Sequence, residues 1–428
     1  MFLKKKKPID LVEAPLNYWE EKSYMLVIPD DSKEDFMTGI FERVSKVEGI
    51  EVKETQPWTF NESGKIKFAY ENEEYEVQFY PSEFSVPASY ITNVYSLSED
   101  EKEKIMNAHM ALTIVMEFHK DFKQSYHLQL KLAVAMIPNL LGIMDESAEK
   151  FMSAAWAIMA ANSKVTPGPN NLYTVQAVSG ENGEVWLHTH GLCRCGLTEL
   201  EILESDRENY NNHYHLISTY ASYLIDKKGD FNPQVDSAYI GVLSNRQPIV
   251  VTCVPWTKGL QEYKKLTLGG VNDRKDAHNS KTSLLFIYKS ESDEKQHLLS
   301  KVSEYNDLWG ENPIFFISDE ETARMKELAI ERFNFVKEQF TKEANKIIIK
   351  IGIPVDEGDN LEHIWFELIE LNGERFKAKL TQEPYNVRNM HEGDEAWYCV
   401  DDITDWIIYT PDFTVTPSSA YMLMKNNE

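Results

Sequence analysis

The densest concentration of side chains able to bind a metal ion or move a proton is His188-Thr189-His190-Gly191-Leu192-Cys193-Arg194-Cys195. On a strand, residues two apart share a face with Cα atoms about 6.6 Å apart, so His188 and His190 can reach one ion. Cys193 and Cys195 would share a face in the same way. Imidazole and thiolate are ligands of zinc, and a tetrahedral set would require a sharp turn at Gly191. The competing reading is a strand end beside a glycine turn, with both thiols packed as small hydrophobes. His213 and His215 add nothing to the set, because two positions apart on a helix they point about 200° away from each other.

Arg194 with Glu199 and Glu201 forms either a polar patch for a ligand or a solvated strand face. The segment from Gly269-Gly270 through Arg274 to His278 is polar and glycine-led. It lacks the G-x-G-x-x-G and G-x-x-x-x-G-K-[ST] spacings, so only Arg274 and His278 speak for phosphate binding there. No G-x-S-x-G elbow exists, and Cys253 lies in an apolar run without an activating neighbour in sequence, so nucleophilic catalysis has no motif behind it. Near the C-terminus, Asp401, Asp402 and Asp405 flank Trp406. Paired carboxylates, or a ligand corner made by Asp405 and Trp406, stand there against a solvated turn beside a core aromatic.

The elements that must position these residues follow from periodicity. Tyr24 to Pro29 reads as a buried strand, and Asp31 to Val47 carries apolar residues at helical spacing. Ile50 to Trp58, Lys65 to Tyr70 and Tyr75 to Tyr80 alternate as strands, which gives a β-α-β-β-β unit. Ser98 followed by Glu101 is a capping-box signature for a helix to about Asn107. The β-branched run at Thr113 to Val115 predicts a strand, Lys120 to Met136 a helix and Leu140 to Met144 a strand. A helix is expected over Ser147 to Asn162, strands over Leu172 to Val178 and Val185 to His190, a Tyr-rich helix over Glu208 to Lys228, and apolar strands at Ile249 to Val254 and Ser283 to Tyr288. From Ser318 a single helix is expected to about Asn345. Strands at Ile347 to Ile351, Ile364 to Leu371, Arg375 to Leu380 and Ala396 to Val400 follow, with Asn372-Gly373 as a hairpin signal.

The chain has 428 residues with 44 Lys and Arg against 69 Asp and Glu, a net charge of −25. Such a field repels phosphate backbones and anionic lipid, so the expectation is no nucleic acid and no membrane, and it favours a basic protein partner. The basic run Lys4 to Lys7 is followed by acids and prolines rather than an apolar stretch, and no window approaches ~18 apolar residues, so a cytoplasmic protein is expected. Four cysteines are too few and too scattered for a disulfide framework.

Two stretches carry resemblances. Ala323 to Phe335, His363-Ile364-Trp365, Lys379-Leu380-Thr381-Gln382-Glu383-Pro384, Gly393-Asp394 and Ile403-Thr404-Asp405-Trp406 make the last hundred or so residues similar to the YegJ-like module of domain-of-unknown-function family 2314. The family's usual Asn-Glu-Pro is here Gln382-Glu383-Pro384. The region His109 to Asp206, above all Trp186 to Ile202, resembles another uncharacterised bacterial group, and the combination is similar to bacterial proteins of domain-of-unknown-function family 4026. Neither resemblance supplies a reaction; neighbouring groups lie near toxin and immunity genes, which implies an immunity-like role.

The expectation is therefore an α+β protein: N-terminal and central mixed sheets with packed helices over 1–97 and 98–311, then a small curved antiparallel module led by a long helix over 312–428. It is read as a non-catalytic binding or regulatory protein without a cofactor. A metal-dependent enzyme centred on His188 and His190, with zinc as the ion, is the alternative.

Overall fold

A computed structural model describes residues 22–30, 36–92, 94, 96–227, 230, 232, 236–274, 282–309, 313–355 and 360–427. His278 and the basic run Lys4 to Lys7 lie outside the described residues.

The chain is α+β and carries three sheets. The first is seven-stranded, in the order β2-β3-β4-β5-β1-β6-β7, from β1 (Ser23–Pro29), β2 (Glu51–Gln56), β3 (Gly64–Tyr70), β4 (Glu73–Glu83), β5 (Met110–Met116), β6 (Leu140–Asp145) and β7 (Lys150–Ser153). The second has eight strands: β8 (Thr174–Ser179), β9 (Glu184–His190), β10 (Glu199–Asp206), β11 (Ala238–Val242), β12 (Pro248–Pro255), β13 (Thr282–Tyr288), β14 (Ser300–Lys301) and β15 (Ile314–Phe315). The third has six: β16 (Lys346–Pro354), β17 (Leu361–Asn372), β18 (Arg375–Leu380), β19 (Glu395–Cys399), β20 (Ile403–Tyr409) and β21 (Thr414–Val415). In the first sheet β5 is buried along almost its whole length, as its β-branched run predicts.

The helices are α1 (Ile40–Ser45), α2 (Ala88–Ile91), α3 (Glu99–Asn107), α4 (Phe122–Met136), α5 (Ala154–Asn162), α6 (Tyr210–Asp226), α7 (Trp256–Gly259), α8 (Glu291–Lys295), α9 (Asp319–Glu331) and α10 (Phe333–Phe340). The capping box of α3 is present: Glu101 N–H donates to Ser98 Oγ and Ser98 N–H to Glu101 Oε2 at 2.7 Å. The C-terminal carbonyls of α4 at Ala135 and Met136 accept from the Arg43 guanidinium, which thus satisfies groups that a helix end leaves open.

Residue contacts divide the chain into two compact units, 1–152 with 167–318 and 153–166 with 319–428. Several expectations are corrected. A domain edge at 97/98 would cut the first sheet, because β4 pairs with β5 from Val77↔Met116 to Glu83↔Met110, and β5 pairs with β1. The helix expected over Ser147 to Asn162 begins only at Ala154; a turn with Glu149 at φ 49° and strand β7 occupy its first half, and Ser153 Oγ then caps α5 by accepting from Trp156 N–H. The single helix from Ser318 is two, α9 and α10, broken at Arg332, whose guanidinium donates to Pro417 O at 2.6 Å. The break turns Phe333 and Val336 into the core of the third sheet.

In the second unit, Ile347, Ile349, Ile351, Ile364, Phe366, Phe376, Ile403, Trp406 and Ile408 form the core, and Met159 of α5 packs on it. Asn372 and Arg375 close a two-residue hairpin with Gly373 at φ 63°, where the Asn-Gly signal places it. Phe366 enters the core while Trp365 faces the other side, and Trp397 faces out.

Candidate functional site

β9 does place His188 and His190 on one face, with ring centroids 4.9 Å apart and nearly perpendicular; the Trp186 ring lies 4.8 Å from His188. His190 Nδ1 stands 3.5 Å from Glu149 Oε1 in the turn between β6 and β7. The cysteines do not extend this face. Gly191, at φ 112°, turns the chain into a 3-10 segment, Cys193–Cys195, so positions two apart no longer point the same way. A Cβ at Gly191 would meet Leu172 O at 2.4 Å, so the turn needs glycine for space as well as for its backbone angle. Cys195 is buried, and burial pushes its thiol up to about 12; Cys193 is half-buried. Among the described residues no three or more His, Cys, Asp or Glu side chains are arranged to hold a metal ion.

Arg194 and Glu199 are neither a solvated face nor an open patch. Arg194 is enclosed and reaches Asp145 of β6 through two parallel bonds of 2.9 Å, with 0% of either side chain exposed. It donates also to Ser23 Oγ and Leu172 O, and stacks on the Tyr126 ring at 4.9 Å. Burial opposes the charge on the guanidinium, the Asp145 carboxylate more than offsets it, and the pKa is raised. Beside the pair lies Lys150, which burial pushes down to about 8 and whose ammonium donates to Asn171 O.

Glu199 at the start of β10 accepts from Thr189 Oγ1 at 2.6 Å, Gly191 N–H at 2.8 Å and Cys193 N–H at 3.0 Å. Burial raises its pKa against those three donors. It therefore holds the turn that places Arg194. Two residues on, Glu201 takes both Arg274 Nη1 and Nη2, at 2.6 and 2.5 Å, and Trp186 Nε1 at 2.9 Å. Arg274 lies over the Trp256 ring at 4.7 Å and is 7% exposed, so it too is used up inside.

In the other unit, Trp406 is 0% exposed with its indole N–H donating to Ala329 O at 3.0 Å. It is a core side chain and cannot serve as a ligand platform. Asp405 is on the opposite face of β20, half-buried, with Oδ1 accepting from Trp406 N–H at 2.8 Å. Desolvation raises its pKa against that bond and the charge of Lys350.

Sequence reasoning missed Asp145, Lys150 and the largely buried ion pair Lys123 to Asp226 at 3.0 Å. The signal was available: Asp145 ends the apolar run Leu140-Leu141-Gly142-Ile143-Met144, and an acid continuing such a strand needs a buried cation.

What emerges is an α+β protein in which the charged residues richest in chemical promise tie the strands of one unit together. The chain belongs to the family described as protein of unknown function DUF4026, whose N-terminal part matches residues 23–167 and C-terminal part residues 175–286, and it ends in a module described as an uncharacterized protein conserved in bacteria, DUF2314, over residues 319–423. A putative ankyrin repeat protein, NMB1133/NMB1171, of Neisseria meningitidis serogroup B is 25% identical over 111 residues. That match covers 23% of this chain and 44% of the relative, so the chain spans less than half of the relative's length. No solved structure matches. Among the described residues no helix is long and apolar enough to cross a membrane.

Proposed function

We propose that this chain is a non-catalytic binding protein whose partner is a basic protein. The observation that carries the reading is where the charge lies. The buried cations Arg194, Arg274 and Lys123 are each paired with a carboxylate, of Asp145, Glu201 and Asp226. The excess behind the net charge of −25 is left to the surface, where it steers a cationic partner and disfavours an anionic one. One groove of about 340 Å³ is lined by Glu74, Glu76 and Glu117 with Lys22, Gln78 and His119, a size and polarity suited to a lysine or arginine side chain. Sequestering a basic toxin is one form such binding takes.

The test is affinity capture by the full chain from its native host at low and at physiological salt, with the charge-reversal variant Glu74→Lys/Glu76→Lys/Glu117→Lys beside it. The expected result is a basic protein held more weakly at the higher salt and lost by the variant. No protein enriched at either salt removes the reading.

A further inference from the structure

A chain with 69 acidic residues against 44 basic ones nevertheless sets four lysines side by side, Lys4 to Lys7. They lie outside the described residues, and fifteen positions separate Lys7 from Lys22. Lys22 is itself a wall of the groove of about 340 Å³ that Glu74, Glu76 and Glu117 line. The run is therefore tethered to the rim of an acidic groove by a stretch that spans at most about 50 Å. Between run and groove stand Asp10, Glu13, Glu20 and Glu21, so the charge complementary to the groove is confined to the four lysines.

The groove lies on the outer face of the first sheet, and the register explains its charge. Val77 of β4 opposes Met116 of β5, so the adjoining positions, Glu76 and Glu117, come side by side. Like charges set next to each other across strands repel, and a cation between them relieves the cost. The sheet's own lysines meet that need only in part. Lys67, opposite Glu76, is turned away to Glu54 at 2.9 Å. Lys65 stands 4.0 Å from Glu76, and Lys22 reaches Glu117 at 3.3 Å. Glu74 and Glu76 are two apart on one face of β4, with Cα atoms about 6.6 Å apart, and lysines two apart in an extended segment repeat at the same spacing.

We propose that Lys4 to Lys7 occupies this groove in cis and competes there with the basic partner, so that the N-terminal segment regulates the binding site. This rests on the reading of the groove as the partner's site. The tether makes the competition effective: a short linker holds the run at about 1 mM, and a groove that takes such a run with a dissociation constant of about 0.1 mM is closed to an outside competitor by roughly tenfold.

The experiment is an anisotropy titration of fluorescently labelled tetralysine with the full chain at low salt. It compares the native chain, Lys4→Gln/Lys5→Gln/Lys6→Gln/Lys7→Gln, and a control that loses the same charge elsewhere, Lys264→Gln/Lys265→Gln/Lys295→Gln/Lys342→Gln. The N-terminal variant should bind tetralysine about tenfold more tightly than the native chain and the control within about twofold of it. In a Glu74→Gln/Glu76→Gln/Glu117→Gln background the N-terminal substitutions should change nothing. Equal binding by the native chain and the N-terminal variant, lost in the glutamine background, overturns the competition in cis and leaves the groove reading standing. No binding by either removes the groove reading and this proposal with it. A control that tightens binding as much as the N-terminal variant assigns the effect to the overall field, and tightening that survives in the glutamine background places the competition elsewhere; both overturn the proposal. Melting curves check that each background folds, and Glu74→Gln/Glu117→Gln replaces the triple variant if that one does not.

Discussion

Arg194 and Asp145 are enclosed and joined by two bonds, so removing one partner strands the other charge in an apolar surrounding. Arg194→Met is expected to cost about 3 to 5 kcal/mol, and Arg194→Met/Asp145→Leu to recover much of it, because the pair's attraction is largely cancelled by its desolvation. Denaturant unfolding of the two variants checks this; a double mutant no better than the single would show that the pair's geometry holds more than its own charges. His213 offers a pH readout. It is wholly buried between Ser205 Oγ and Asn306 Oδ1, and burial lowers its pKa to about 4, with Asn306 and Asp206 opposing. The folded state resists protonation that the unfolded chain accepts below about 6.5, so the contribution is full above that pH and is lost as the pH falls to about 4. His213→Gln should flatten the fall in melting midpoint across that window, and a variant as acid-sensitive as the native chain would refute the assignment. These roles were hard to read from the sequence. His188, His190, Arg194 and Glu199 do lie together, but a list of residue types cannot tell a charge that faces a ligand from one that faces Asp145, forty-nine positions away.

The elements themselves were more legible. Alternation and β-branching placed β1, β5, β9 and β12, the capping box placed α3, and Asn372-Gly373 placed the hairpin between β17 and β18. Ser98→Ala should cost about 1 kcal/mol, visible as a small drop in melting midpoint. Trp406→Ala, which empties a wholly buried ring site and orphans Ala329 O, should cost about 3 to 5 kcal/mol; an unchanged midpoint would contradict its burial. The failures have physical causes. The burial of β10 was missed because Glu199 and Glu201 look like surface residues when their partners Thr189 and Arg274 are unknown. A bulge in β20, where Lys350 opposes Asp405 but Ile351 opposes Ile403, was invisible because Ile403-Thr404-Asp405-Trp406 fits a regular strand as well as a bulged one until both apolar ends are known to face inward.

At the scale of the whole molecule, the edge expected at 311/312 differs from the division by contacts at 318/319, and nothing in composition marked 153–166 as part of the C-terminal unit. That segment is bound there by specific contacts. Ser163 Oγ and Lys164 N–H each donate to a Glu331 carboxyl oxygen at 2.7 Å, and Arg324 Nη1 donates to Thr166 O at 3.2 Å. A fragment of residues 319–428 should therefore melt lower and less cooperatively than the unit in the full chain. A peptide spanning 153–166 should raise its midpoint in proportion to the logarithm of peptide concentration, as a ligand of the folded form does. A fragment indifferent to the peptide would show the segment to be dispensable.

The same segment sets a clock during synthesis. Residues 153–166 are made about 150 residues before 319, and at roughly 5 to 20 residues per second that is an interval on the order of ten to thirty seconds. Throughout it, the Ala-Ala-Trp-Ala-Ile-Met-Ala-Ala stretch of α5 waits for a β-sheet that the ribosome has not yet made. A nascent chain of this protein thus carries an apolar helix in search of company for more than a third of its translation, an interval open to ribosome-bound chaperones.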